Sequence, residues 1–224
     1  MLNELDKELE ARGLDFVRYA DDLIIMVGSR QAADRVMKSV TRFIEESERL
    51  GLKVNAEKSK VDKPKGIKYL GFGFYFDSFA KAYKARPHPK AVAKFKAQMK
   101  RLTCRSWGVS NSYKVLKINQ LIRGWINYFR IGSMKGLCVR LDSSIRYRLR
   151  MCIWKHWKTP QNRAKLLMML DVPRWAAYKI AYCGNRYARI AHIGWVHKAI
   201  SNKRLAAFGL ISMVDYYAKR RAAC

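Results

Sequence analysis

The charge of this 224-residue chain changes abruptly about a third of the way along. Residues 1–77 hold 14 Lys+Arg against 14 Asp+Glu, whereas residues 78–224 hold 32 basic residues and three acids, Asp142, Asp171 and Asp215. The whole formal charge of +29 therefore lies in the last two thirds. The hydrophobic pattern changes at nearly the same place, from β-prone runs to helical spacing. Two independent signals put a junction near residue 86, which divides the chain into 1–86 and 87–224 and implies an α+β protein.

The first part reads as hairpins with a packed helix. Asp15–Tyr19 and Leu23–Val27 are β-prone runs, and Ala20-Asp21-Asp22 between them forms a turn. A helix follows from about Gln31 to Leu50, with Ala33, Val36, Val40, Phe43 and Ile44 on one face, Ser29 as N-cap and Gly51 as stop. Short strands are expected near Leu52–Asn55 and Lys58–Val61, then a hairpin of Ile67–Phe76 and Phe79–Ala85 turning at Asp77-Ser78.

From Pro87 the expectation is all helix: Lys90–Leu102, Tyr113–Arg130, Leu137–Trp157, and shorter helices at 161–170, 173–182 and 202–218. In the second of these, Leu121, Trp125 and Phe129 point inward with Tyr128 on the same face, and Arg123, Asn127 and Arg130 form a polar stripe.

Composition excludes several classes. Half of the residues are hydrophobic, so this is no disordered basic tail. No run approaches the roughly 18 apolar residues of a membrane span, and the charged N-terminus is unlike a signal peptide. Five scattered cysteines with no Cys-x-x-Cys pair argue for a reducing, cytoplasmic setting and against a zinc ribbon. A large positive excess interleaved with aromatics, as in Trp154-Lys155-His156-Trp157-Lys158, points to nucleic acid. Trp107, Trp154, Trp157, Trp175 and Trp195 are expected to pack in the core or grooves more than to stack on bases.

Adjacent carboxylates at a hairpin tip suit a divalent metal, because like charges this close need solvent or a cation. Magnesium takes one or two protein carboxylates and completes its shell with water and substrate phosphates. The plainer reading of Asp21-Asp22 is a solvated turn.

Four blocks, in order, carry a resemblance. Phe16–Leu23, with Tyr19-Ala20-Asp21-Asp22 at its centre, is similar to the metal-binding palm motif of group II intron reverse transcriptase/maturases. Gly51–Lys60 resembles their next palm block, Tyr69–Phe74 their primer-gripping hairpin, and Ile118–Phe129 the central helix of the maturase, or thumb, domain. Similarity extends to Trp154–Pro160 and Leu205–Tyr217. The resemblance implies a partial polymerase palm over 1–86 followed by an all-α basic thumb/maturase domain over 87–224. It implies RNA-directed DNA polymerase and splicing functions, with intron RNA, RNA template and DNA primer as partners.

By the same resemblance, Asp21 and Asp22 would hold Mg2+, with Tyr19 and Ala20 lining the primer side. Tyr69, Leu70, Gly71 and Phe72 would grip the primer. Asn55 with Lys58 or Lys60 would serve the triphosphate, and a salt-bridged surface lysine is an equal alternative. Arg123, Asn127, Arg130, Lys155 and Lys158 would bind RNA. The family's further metal-binding aspartate lies in an upstream block that is not found before Tyr19, and Met1–Asp6 reads as the middle of a helix. The expectation is therefore a truncated or internally initiated product with part of a two-metal site. An RNA-binding maturase module without polymerase activity, or a non-functional product, is the competing reading.

Overall fold

The computed structural model describes residues 2–46, 52–184 and 186–222. The chain forms two compact units, Met1–His88 and Pro89–Cys224.

In the first unit, α1 (Leu2–Ala11) leads into β1 (Asp15–Tyr19), β2 (Asp22–Met26) and α2 (Arg30–Glu46). Strands β1 and β2 pair antiparallel, with Phe16 opposite Ile25 and Tyr19 opposite Asp22. One face of the hairpin meets the helices: Phe16, Leu23 and Ile25 pack on a small core of Leu5, Leu9 and Val40 with Val36, Phe43 and Ile44. The Ser29 hydroxyl caps α2 by accepting from the Ala32 amide at 3.2 Å. The expected end of α2 beyond residue 46, and its Gly51 stop, lie outside the described residues.

A second sheet is a meander of β3 (Lys68–Tyr69), β4 (Phe72–Asp77) and β5 (Ala82–Pro87). The chain departs from expectation here in two ways. Leu52–Asn55 and Lys58–Val61 form no strands. Instead the Asn55 side-chain and main-chain oxygens both accept from the Lys58 amide, closing a local turn that competes with extended pairing. The expected single strand Ile67–Phe76 is split by a two-residue turn at Leu70-Gly71, where both residues take positive φ (47° and 78°). The turn about Asp77-Ser78 is also longer than expected, because Asp77 pairs with Ala82 and its carboxylate accepts from the Phe79 and Ala80 amides.

The second unit is helical: α3 (Pro89–Leu102), α4 (Asn111–Phe129), α5 (Lys135–His156), α6 (Pro160–Met169), α7 (Arg174–Ala181), α8 (Tyr187–Ile190), α9 (Gly194–Ala199), α10 (Asn202–Ala207) and α11 (Met213–Ala222). The first five follow the expected helices closely, and α8 and α9 are additional to them. The single helix expected over 202–218 is two, because Gly209 takes φ 96° and ends α10.

The buried stripe of α4 is Val115, Ile118, Ile122, Ile126 and Phe129, one position round from the expected face. Leu121 and Trp125 are half-buried at its margin, and Tyr128 is exposed. The stripe is wide because α4 packs against both α3 and α11. Its neighbour α5 buries Cys138, Leu141, Ile145, Leu149, Cys152 and Trp154. No helix among the described residues is long and apolar enough to cross a membrane.

Candidate functional site

The Tyr19–Asp22 tip is held from two sides within the first unit. Arg18 grips the Asp6 carboxylate of α1 with Nε and a terminal nitrogen, a bidentate pair, and its other terminal nitrogen donates to the Ala20 carbonyl at 3.2 Å. The hydrogen bond from Arg18 holds the Asp6 carboxyl below the usual carboxylate range, burial opposing and the guanidinium charge assisting. On the other side the Tyr69 hydroxyl lies 3.4 Å from the carbonyl oxygens of both Val17 and Asp22. Burial, and after it the Asp22 charge, push the Tyr69 phenol up, so it remains a proton donor. The turn itself has Ala20 at φ 51°, a conformation that costs a side-chain-bearing residue about 1–2 kcal/mol.

This scaffold leaves Tyr19, Ala20, Asp21 and Asp22 exposed. Asp21 and Asp22 form no ion pair with any described residue, which suits a Mg2+ ion that takes one or two protein carboxylates. Among the described residues no group of three or more His, Cys, Asp or Glu gathers.

Of the other expected residues, Tyr69, Leu70, Gly71 and Phe72 form one hairpin tip. Phe72 is buried and anchors it, and the Gly71 carbonyl accepts from the His88 amide at 2.9 Å. Lys60 is already committed, with Nζ 3.0 Å from the Asp62 carboxylate and 2.5 Å from the Gly66 carbonyl. Asn55 and Lys58 share the local turn described above, with the Lys58 side chain exposed.

In the helical unit, Arg123 and Asn127 are exposed on α4 and Arg130 is its half-buried C-cap residue. Asn127 also has a structural partner: the Tyr216 hydroxyl donates to its Oδ1 at 3.2 Å and itself accepts from Arg220 Nε at 3.1 Å. Burial pushes the Tyr216 phenol up, but the Arg220 bond and charge, with Asn127 and Arg123, outweigh it and leave the phenol below its ordinary value. Lys155 and Lys158 are exposed at the end of α5 and just beyond. Of the five tryptophans expected to pack, Trp154 is buried, Trp107, Trp157 and Trp195 are half-buried, and Trp175 is 66% exposed.

Two of the three acids of this unit are put to internal use. Asp142 on α5, 3% exposed, accepts from the Met213 and Val214 amides and the Ser212 hydroxyl, capping α11 from another helix, and pairs with Arg146. Asn119 fixes the approach to that helix, donating to the Gly209 carbonyl at 2.7 Å and accepting from the Ile211 amide at 3.0 Å. Asp171 pairs with Arg204 at 2.6 Å. Arg18, Asn119 and Tyr216 lie within stretches that carry the family resemblance but no role was expected of them, and Asp142 lies outside those stretches; the scarcity of acids after residue 77 is the one signal that could have singled it out.

Residues 1–74 match the family model of reverse transcriptase (RNA-dependent DNA polymerase). Residues 92–169 match that of the group II intron, maturase-specific domain. No curated protein gives a match to the chain. The two family matches occur in this order on an α+β fold whose β-hairpins come first and whose helices follow, and the chain belongs to the group II intron reverse transcriptase/maturase family.

Proposed function

We propose that the chain is an intron-encoded maturase that binds structured intron RNA through its helical unit and assists splicing and retrohoming. Residues 87–224 act as the thumb/maturase domain, with Arg123, Asn127, Arg130, Lys155 and Lys158 among the RNA contacts, and residues 1–86 as part of a palm. The observation that carries this reading is the charge partition: 32 basic residues against three acids, two of which are already engaged in internal ion pairs. A polyanion is the partner such a surface needs.

A second reading, RNA-directed DNA polymerase, is favoured by the exposed Asp21 and Asp22 at a braced hairpin tip. Reverse transcriptases use Mg2+, which supplies Lewis-acid stabilisation of the attacking and leaving oxygens when bound. Asp21 and Asp22 would be its protein ligands here. The chain's own residues contribute the positioning: Arg18 and Tyr69 fix the turn, Tyr19 and Ala20 form the surface beside the carboxylates, and the Leu70-Gly71 tip would meet the primer strand. Lys58 is the better placed of the two loop lysines for a triphosphate, since Lys60 is held by Asp62.

Filter binding to structured intron RNA across a salt series tests the first reading. The expected result is tight binding whose log affinity falls linearly with log salt, unchanged by Asp21→Asn. Absence of RNA binding would refute it. Mg2+-dependent primer extension abolished by Asp21→Asn would establish the second.

A further inference from the structure

A cleft of about 210 Å3 opens on the helical unit, lined by Cys104, Arg105, Ser106, Lys155 and Tyr187. These residues come from three places: the loop after α3, the end of α5, and the start of α8. The volume equals about seven waters of liquid, more than a single small ion occupies. One of its cations is pre-set. The Arg105 guanidinium lies over the Tyr187 ring, 4.4 Å from the centroid, which fixes a long side chain that would otherwise lose rotamer freedom on binding. Neither Arg105 nor Lys155 forms an ion pair with a described residue. Behind them sits Lys114, wholly buried, whose Nζ donates to the Cys104 carbonyl at 2.9 Å and faces no carboxylate in any described ion pair. A buried ammonium whose described partner is a neutral carbonyl leaves its charge to act on the cleft through a low-dielectric wall.

We infer that this cleft is a subsite for the RNA backbone, in which Arg105 and Lys155 hold a phosphodiester. The inference rests on the RNA-binding reading above and adds a defined place of contact to it. Arg105 is the residue of choice for such a site, since its planar fork presents paired donors to phosphate oxygens. Tyr187 acts as a positioning residue, holding the guanidinium rather than touching RNA.

The cleft carries its own reporter. The Cys104 thiol is exposed, with Sγ 3.1 Å from the Ser106 hydroxyl oxygen. Hydrogen bonding from Ser106, side chain first and then main chain, lowers the thiol below its ordinary value, with Lys114 contributing charge. Cys138 and Cys152 are buried, and burial pushes both up, Cys138 to about 12. In a full-length Cys183→Ser, Cys224→Ser background, N-ethylmaleimide therefore reports on Cys104.

The expected result is that saturating poly(U) slows Cys104 alkylation about tenfold by blocking access. Arg105→Ala with Lys155→Ala should remove that protection while other basic residues still bind RNA, and should reduce the salt slope by about 0.7 for each phosphate no longer neutralised. Arg105→Lys should restore only part of the protection, because an ammonium lacks the fork. Poly(U) bound by filter assay with Cys104 still alkylated at the free rate would overturn the subsite and leave the RNA-binding reading standing. Equal protection by poly-glutamate at matched charge would overturn the RNA assignment. No binding of poly(U) or intron RNA would remove both.

Discussion

The two units of this protein solve opposite problems. Of the 35 buried apolar residues among those described, 31 belong to the helical unit and four, Leu5, Leu9, Val40 and Phe72, to the sheet unit. The sheet unit is nearly neutral and organises its exposed tip with polar braces, the Arg18–Asp6 pair and the Tyr69 hydroxyl. The helical unit must fold despite dense like charge, and does so by burying an extensive apolar core and turning two of its three acids to internal use. The contrast teaches that a strongly charged surface is tolerated where core burial is large, since self-repulsion opposes the compact state and has to be offset.

The most severe challenge to this contrast is a core truncation in each unit. Ile122→Ala should cost about 4 kcal/mol, because Ile122 is wholly buried on a stripe clamped by α3 and α11 and its site cannot collapse. Leu9→Ala should cost about 2 kcal/mol, at the low end, because its neighbours are mostly half-buried and free to close in. All six tryptophans lie in the helical unit, so the shift in urea midpoint of their fluorescence measures the first. Hydrogen exchange of the β1 and β2 amides measures the second. Equal losses would erase the contrast.

A loss between these two is expected from Asp142→Ala, about 3 kcal/mol, since it leaves α11 uncapped and Arg146 without its partner. Limited proteolysis should then cut within 209–222 ahead of the rest of the unit. Resistance equal to the parent would show that α11 is held by Met213 and Tyr217 packing alone.

The gentlest test is pH. The folded Asp6 carboxyl titrates below its unfolded value, so its pairing with Arg18 contributes fully above about pH 4 and is lost as the pH falls through the folded value. Amide exchange at the Tyr19–Asp22 tip, corrected for its intrinsic pH dependence, should accelerate below about pH 4, and Asp6→Asn should show the faster rate throughout. An unchanged profile in that variant would mean the tip is held by Tyr69.

Much of this organisation is legible in the sequence. Apolar spacing at 3.6 residues locates α3 to α7, because long amphipathic helices repeat their signal over several turns. The Tyr-Ala-Asp-Asp hairpin is legible because its two β-prone runs flank a turn of small and acidic residues. Short elements are not. The Leu70-Gly71 reversal hides in an apolar run, since its turn rests on a leucine forced to positive φ by the pairing of Tyr69 with Phe72. The strands expected near residues 52–61 are absent because a local Asn55 turn satisfies the backbone instead.

The order of amino acids was enough to establish the α+β class, the charge partition and the family, because composition, periodicity and ordered motifs are properties of the chain. Which polar groups are free to act was settled by tertiary packing. It turned Asn127 towards Tyr216, buried Asp142 beneath α11, and gathered Arg105, Lys155 and Tyr187 from residues up to 82 positions apart. Whether a lysine or arginine serves the fold or a ligand depends on what lies within about 3 Å of it, and sequence distance does not encode that.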